Sequence, residues 1–260
     1  YNRMKSKSDI VKDWIKRYTG TPVEGFGDWI LLTNFQNYVD KFANRFSTDV
    51  KGIGGPMTSA TNKDGLSIIN FGIGSSNAAT IMDLLSAVNP KGVLFLGKCG
   101  GLKKSTEIGN FILPSAAIRG EGTGDDYFPQ EVPALPSFKI HKYVSDKLRD
   151  QKLDYRTGVV YTTNRRVWEY DEDFKKYLRK VRVIGIDMET ATIFVVGFAN
   201  GIERGALLLV SDTPMTPEGV KTSESDSKVT QKFVELQLEL GIEAMSHIGS
   251  EGEQIKHFTY

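Results

Sequence analysis

The sequence has 260 residues, of which 40% are hydrophobic and 25% are charged, and this is enough for one large domain with a full core. It carries 33 Lys and Arg against 32 Asp and Glu, so the formal net charge is +1. That balance gives no electrostatic case for nucleic acid or an anionic membrane as a partner. A small anionic ligand is still compatible with it, because such a ligand needs only a few focused charges.

Cysteine and histidine are scarce. The single cysteine, Cys99, excludes an internal disulfide framework and a cysteine-rich zinc site, and the three histidines have no ligand-like spacing. We therefore expect neither a metal nor another cofactor. A reducing cytoplasm is the expected location, since no run matches an apolar membrane span and the polar first residues are unlike a secretory signal. The sequence begins at Tyr1 rather than Met, as a trimmed chain or a fragment would.

The first part of the chain predicts a helix, a strand and a second helix. Apolar residues recur at helical spacing over 8–18, behind a potential N-cap at Ser8. A turn-rich segment leads to WILLTN, which predicts a buried strand. Residues 34–46 form an amphipathic helical pattern rich in aromatic residues. These aromatics are expected mainly in the core, although the helix could also supply surface for an oligomer.

Strands then alternate with helices to the end of the chain. Predicted strands cover 66–74, 93–102, the start of 111–128, 157–163 and 206–210. Predicted helices cover 77–88, 141–152, 171–181, 190–200 and 229–248, and a proline-rich connection separates 128 from 137. The alternation predicts one α/β domain. We expect an N-terminal helix and turn over 1–29, a single domain over 30–248, and a tail over 249–260.

Two glycine-rich junctions follow predicted strands. In GIGSSNAA, Gly74 would let the backbone approach a ligand, and the following helix offers N–H groups to an anion. Asn77 replaces the last glycine of a G-x-G-x-x-G motif, which disfavours nicotinamide binding. In GKCGGL, Lys98 could supply charge for a phosphate or be a solvated loop lysine. Cys99 beside it is interpreted as a small buried residue rather than a nucleophile.

Arginine residues mark two further segments. Arg119, at the end of the apolar run AAIR, could bind a phosphate or carboxylate in a bidentate manner. In TTNRRVWE, Arg165 and Arg166 precede Trp168, so that cations lie near a flat apolar ring. This combination suits a nucleotide, because a guanidinium group can bind the phosphate and an indole ring can stack on the base. A surface arginine pair beside a core tryptophan would give the same sequence.

The stretch 185–212 carries three acids around a predicted helix and strand. Asp187 and Glu189 flank Met188 before the helix, and Asp212 directly follows the apolar strand. Acids at the carboxyl end of a buried strand lie where open α/β proteins build their sites. From the residues alone, Asp212 could equally be a helix cap or a loop ion-pair partner, and Glu189 an interface acid.

These motifs, with DMETATIF and SDTP, occur in the order found in the nucleoside phosphorylase and nucleosidase superfamily, which the sequence resembles from about Ile30 to the final helix. Its members cleave the N-glycosidic bond of nucleosides. The resemblance implies a three-layer α/β sandwich around a mixed, twisted sheet, assembled as hexamers or dimers. TTNRRVWE, the loop DDYFPQEVPALPSF, and SDTP with Lys221 downstream resemble the members that hydrolyse AMP to adenine and ribose 5-phosphate.

The resemblance also implies roles for individual residues. Asp212 would be the general acid at N7 of the purine, which requires a pKa raised by burial. Glu189 would accept hydrogen bonds from the ribose hydroxyls, and Met188 would pack against the sugar. Trp168 would border adenine. The implied phosphate ligands are Arg119, Lys98, Gly74, Arg165 and Arg166.

Two alternatives remain at this point. One is a purine nucleoside phosphorylase that uses inorganic phosphate; against it, TNFQNY stands where the family has an early Gly-Asp-Pro phosphate loop. Lys98 also stands where many phosphorylases have Ser or Thr, which is compatible with a phosphate already on the substrate. The other is a non-catalytic nucleotide-binding protein, which the presence of both Asp212 and Glu189 disfavours.

Overall fold

The computed structural model describes residues 5–216 and 219–251. Most of the predicted tail over 249–260 therefore lies outside the described residues. The strands are β1 (Trp29–Thr33), β2 (Thr58–Thr61), β3 (Leu66–Asn70), β4 (Gly92–Gly101), β5 (Phe111–Gly120), β6 (Tyr155–Thr163), β7 (Gly185–Asp187) and β8 (Arg204–Asp212). The α-helices are α1 (Lys7–Thr19), α2 (Gln36–Phe46), α3 (Ser75–Leu85), α4 (Phe138–Asp150), α5 (Glu172–Lys180), α6 (Thr190–Ala199) and α7 (Ser223–Glu251).

These strands form one mixed sheet in the order β2-β3-β1-β4-β7-β6-β5-β8. An additional parallel pairing of β4 with β8 closes five of the strands, β4, β7, β6, β5 and β8, into a barrel-like ring. Helices flank the sheet, so the predicted fold class, a mixed sheet between helices, is confirmed. The closure brings the carboxyl ends of β4 and β8 side by side, and a register shift after Cys99 pairs Gly100 with Asp212.

Burial explains why the central strands were recognisable from sequence. All ten residues of β4 are buried, as are the last eight of β8, and strands covered on both sides read as continuous apolar runs. By contrast, β2 is the short polar segment TSAT and β7 has only three residues, so neither carries a readable period. Both strands were absent from the prediction.

One detail of the helices differs from expectation, the cap of α1, and another, the burial of the aromatic residues of α2, agrees with it. Helix α1 is capped by Ser6, not Ser8; the Ser6 side chain accepts from the Asp9 N–H while Asp9 reaches back to the Ser6 backbone, a capping box. In α2, Tyr38 and Phe42 are fully buried in the core that α7 covers. These aromatic residues therefore do not provide oligomer surface. In the described ranges, no helix has the length and apolarity that crossing a bilayer requires.

Candidate active site

A cavity of about 290 Å³ opens where strands end. Residues at or just after the carboxyl ends of β1, β3, β4, β6, β7 and β8 line it, together with one residue of the loop after β8. Ligand pockets of proteins have volumes of roughly 300–1,000 Å³, so the cavity is suited to one small ligand. The residues that carry polar or aromatic groups into its lining are Asn34, Phe35, Lys98, Cys99, Thr163, Arg165, Arg166, Trp168, Glu169, Asp187, Glu189, Ser211, Asp212 and Lys221.

Asp212 is the last residue of β8 and is only 8% exposed. One of its oxygens accepts a hydrogen bond of 2.7 Å from the Ser211 hydroxyl, and the Lys221 ammonium lies 3.4 Å from that hydroxyl. Burial raises the pKa of the Asp212 carboxyl, against the opposing effects of the Ser211 hydrogen bond and the charges of Lys221 and Arg166. A carboxyl whose pKa is raised can hold a proton for transfer.

Glu189 lies between β7 and α6 and is 2% exposed. Its Oε1 accepts the Gly74 N–H at 2.7 Å, and its Oε2 accepts the Met188 N–H at 3.3 Å. Burial, followed by the negative charge of Asp187, raises the pKa of Glu189 to about 8. The cavity thus contains two acids, Asp212 and Glu189, whose protonation states are set by burial.

Asp187 also lines the cavity, but its oxygens serve the protein. One accepts from the Thr162 hydroxyl at 2.7 Å, and the other from the Thr190 N–H at 2.7 Å and the Glu189 N–H at 3.2 Å. A carboxylate that accepts the first N–H groups of a helix acts as its cap, here for α6. Asp187 therefore fixes the backbone from which the Glu189 side chain extends.

The structure gives Gly74 a different partner from the predicted phosphate. Gly74 precedes α3 with φ of 98°, a conformation that favours glycine, and its N–H is used by the Glu189 carboxylate. The neighbouring Ser75 hydroxyl donates to the Met188 carbonyl at 2.6 Å. The glycine loop thus holds the Glu189 segment in place.

Cationic and aromatic residues cluster in the same cavity. Lys98 is 8% exposed, and its ammonium lies 4.4 Å from the centre of the Phe35 ring. Arg165 pairs with Asp171 at 2.8 Å, and Arg166 contacts Glu169 at 3.3 Å with most of its side chain exposed. Trp168 is buried at the cavity wall. Apart from Gly74 and Arg119, the predicted site residues are therefore brought together.

Arg119 lies away from this cavity, at a second one lined by Tyr161 and Tyr177. Its side chain is 6% exposed, and the guanidinium group holds the proline-rich connection. Nη1 donates to the carbonyls of Pro129 and Val132 at 2.7 and 3.0 Å, and Nη2 donates to the Phe128 carbonyl at 2.7 Å and to Asp125 at 2.9 Å. Four of its five N–H groups are thus committed within the protein, which leaves little capacity for a phosphate.

Arg119→Met should therefore destabilise the protein rather than weaken phosphate binding. The three carbonyls would lose their charged donors, and we expect a loss of roughly 2–5 kcal/mol in the free energy of unfolding. Urea denaturation would measure this, with Arg45→Met, which removes an exposed pair with Glu239, as the control. A stable Arg119→Met variant with a selectively raised Kd for ribose 5-phosphate would contradict the assignment.

Several cavity residues were missed by the sequence analysis. Asn34 and Phe35 directly follow β1, and Ile73 follows β3. Their positions after predicted strands are the signal that could have identified them, because sites of α/β proteins collect such residues. Lys221 was indicated only by the resemblance to the superfamily. In the structure its ammonium group lies 3.4 Å from the Ser211 hydroxyl.

Comparisons with known proteins agree with this geometry. Residues 32–246 match the family model described as the phosphorylase superfamily. The chain is 30% identical to AMP nucleosidase of Escherichia coli strain K12 over 93% of its own length and 59% of that relative, so it spans less than two thirds of that protein. The crystal structure of AMP nucleosidase from Bacteroides thetaiotaomicron VPI-5482 is 51% identical and superposes with a TM-score of 0.85, covering 96% of this chain and 100% of the other.

A more distant structure shares the fold alone. Uridine phosphorylase from Vibrio fischeri ES114 is 18% identical, has a TM-score of 0.79, and matches 95% of this chain and 100% of its own. The family match covers most of the chain, including every strand from β2 to β8 and all the cavity residues named above. The chain belongs to the phosphorylase superfamily.

Proposed function

We propose that the protein hydrolyses the N-glycosidic bond of AMP, giving adenine and ribose 5-phosphate. The observation that carries the proposal is the joint placement of Asp212, Glu189 and several cations in one cavity of about 290 Å³. The similarity to two AMP nucleosidases, one of them 51% identical along the whole of its chain, supports the choice of substrate.

Asp212 is the proposed general acid. As the bond between C1′ and N9 breaks, its electron pair passes into the base, and the Asp212 carboxyl protonates N7. Water then adds to C1′ of the cationic sugar, so that ribose 5-phosphate forms, and the proton that this water releases to solvent balances the one that Asp212 takes up to regain its acid form. The raised pKa of Asp212 favours the protonated form that this step requires.

Glu189 and Met188 are proposed to hold the ribose, and Trp168 to border the adenine. Because the pKa of Glu189 is about 8, its carboxylate form becomes abundant only as the pH approaches 8, and in that form it accepts hydrogen bonds from the 2′- and 3′-hydroxyls and offsets the positive charge that develops on the sugar. The Gly74 N–H holds one Glu189 oxygen before any ligand is bound. The side chain therefore loses less rotamer freedom when the ribose binds.

Lys98, Arg165 and Arg166 are the proposed phosphate ligands. Lys98 is the most buried of the three and lies on β4, next to the strand that carries Asp212. A cation with little exposure interacts with an anion through a lower effective dielectric than a surface lysine does. This arrangement favours a substrate that already carries its phosphate, as AMP does.

A product assay tests the proposal. The protein is incubated with AMP, adenosine and IMP, with and without inorganic phosphate, and the products are identified. We expect adenine and ribose 5-phosphate from AMP, independent of added phosphate. Ribose 1-phosphate formed from a nucleoside and phosphate would instead establish a phosphorylase, and no release of base from any substrate would support a binding protein.

Lys98→Met should reduce the preference for AMP over adenosine. A hydrogen bond to a charged group contributes about 1.5–3 kcal/mol, so kcat/KM for AMP should fall roughly 10- to 100-fold. The inhibition constant of adenosine, measured as a competitor, should change little because adenosine has no phosphate. Lys142→Met, on the exposed side of α4, is the matched control. Equal weakening of both ligands would contradict a phosphate role for Lys98.

A cytoplasmic location and a homo-oligomeric assembly also belong to the proposal. Cys99 is the only cysteine among the 260 residues, so they contain no internal disulfide, which suits a reducing compartment. Large apolar side chains that are well exposed in one chain, such as Ile53, Val167 and Tyr170, could be covered in an oligomer. Size-exclusion chromatography with light scattering would give the number of chains.

A further inference from the structure

Behind the cavity, a fully buried polar side chain on α7 joins two strands of the site. Gln237 is 0% exposed, and its amide nitrogen donates to the carbonyls of Gly97 in β4 and Leu207 in β8, at 2.9 and 2.7 Å. Its amide oxygen accepts a 2.5 Å hydrogen bond from the Tyr38 hydroxyl. Such a fully bonded amide in an apolar core specifies one arrangement of the groups that it contacts.

The Gly97 carbonyl belongs to the residue just before Lys98. A hydrogen bond to it therefore holds the backbone from which the Lys98 side chain departs. Gly97 lies beyond the last position, Leu96, at which β4 pairs with β1. The bond from Gln237 thus acts where β4 leaves its neighbour and enters the cavity wall.

The same group of residues also contacts the far end of the Lys98 side chain. Tyr38, on α2, stacks on Phe35 with ring centres 6.1 Å apart. The Phe35 ring lies 4.4 Å from the Lys98 ammonium, a cation–π distance. The contacts therefore form a closed circuit from Gly97 through Gln237, Tyr38 and Phe35 to Lys98, which Gly97 directly precedes.

We infer that Gln237 and Tyr38, acting with Phe35, are positioning residues that hold Lys98 at the phosphate end of the cavity and so set selectivity for phosphorylated substrates. Neither Gln237 nor Tyr38 lines the cavity. They act through Lys98, and this inference rests on the proposed function. It explains why a buried, fully bonded glutamine occupies a long helix whose other core residues are mainly apolar.

Gln237→Met tests the inference with a side chain of similar length that makes no such bonds. We expect kcat/KM for AMP to fall about tenfold, while the inhibition constant of adenosine stays within about twofold. In a Lys98→Met background the same substitution should change kcat/KM for AMP by less than about twofold, because the residue on which it acts is gone. Gln151→Met, which removes an exposed hydrogen bond to Glu243, is the matched control.

Tyr38→Phe keeps the ring and its stacking on Phe35 while it removes the hydroxyl. It should lower kcat/KM for AMP by a smaller factor than Gln237→Met does, again with little change in the inhibition constant of adenosine. This variant decides the question if Gln237→Met does not fold. Parallel losses for AMP and adenosine, or additive effects with Lys98→Met, would show a purely structural role and overturn the inference. A wild-type protein with no preference for AMP over adenosine would instead overturn the proposed phosphate role of Lys98 itself.

Discussion

Asp212→Asn is expected to lower kcat for AMP hydrolysis by roughly 10²–10⁴-fold, the usual contribution of a general acid. Asparagine has nearly the same shape, and its amide can still donate a hydrogen bond to N7. It has no proton to transfer, so adenine must leave with its negative charge only partly offset. The rate of adenine release from AMP at saturating substrate measures the effect.

The fold should survive this substitution. Burial raises the pKa of Asp212, so the charged carboxylate lowers stability as pH rises above its unfolded pKa, and the neutral asparagine lacks that cost. The melting temperature of Asp212→Asn should therefore match or exceed that of the wild type at neutral pH. Asp173→Asn, a change from carboxylate to amide on the exposed side of α5, is the control and should leave kcat within about twofold of the wild type.

A second substrate separates acid catalysis from positioning. Ribose 5-phosphate linked at C1′ to 4-nitrophenolate has a leaving group that needs no proton. If Asp212 is the acid, Asp212→Asn should cleave this compound at close to the wild-type rate. Loss of activity on both substrates would mean that Asp212 places the substrate, and retained adenine release from AMP would remove it from the mechanism altogether.

The acids and Lys98 could be found from sequence because their surroundings are local. Asp212 ends an apolar strand that any reading of hydropathy identifies, and Lys98 interrupts another. Glu189 lies directly before a helix that is apolar on every side. In each case the strand or helix next to the residue, together with the resemblance, was enough to indicate the site.

At Arg119 and Gly74 the donors have partners within the protein that no local sequence pattern indicates. The donors of Arg119 are consumed by carbonyls of Phe128, Pro129 and Val132, in a proline-rich connection whose path has no sequence period. The N–H of Gly74 is taken by Glu189, which is 115 positions away in the chain. Both outcomes depend on which acceptor the folded chain places next to each donor, and a local sequence pattern does not contain that information.

Glu189→Gln is expected to reduce activity and to raise stability at alkaline pH. Removing a charged acceptor of the ribose hydroxyls should lower kcat/KM for AMP about 10- to 100-fold, in line with a loss of roughly 1.5–3 kcal/mol. The amide oxygen can still accept the Gly74 N–H, so the α3 junction should persist. Steady-state kinetics at pH 8 gives the activity, and chemical denaturation at several pH values gives the stability.

The sign of the stability change follows from the raised pKa of Glu189, about 8 against an ordinary value of 4.5. Below pH 4.5 the carboxyl is protonated in both the folded and unfolded states, and it adds no penalty. Between 4.5 and 8 the unfolded chain releases the proton that the folded chain keeps, so wild-type stability falls as pH rises. Each unit of pKa shift corresponds to about 1.4 kcal/mol, and we expect a difference on the order of a few kcal/mol above pH 8.

Glutamine at position 189 carries no such proton, so its stability curve should be flatter over this range and should lie above that of the wild type at pH 8–9. At pH 4.5 the two curves should converge. Burial also raises the pKa of Asp187, which remains in the variant, so the residual slope of the variant reports Asp187. A variant that is less stable than the wild type at every pH would contradict the stability cost assigned to burying Glu189, and an unchanged kcat/KM for AMP would contradict its role on the ribose.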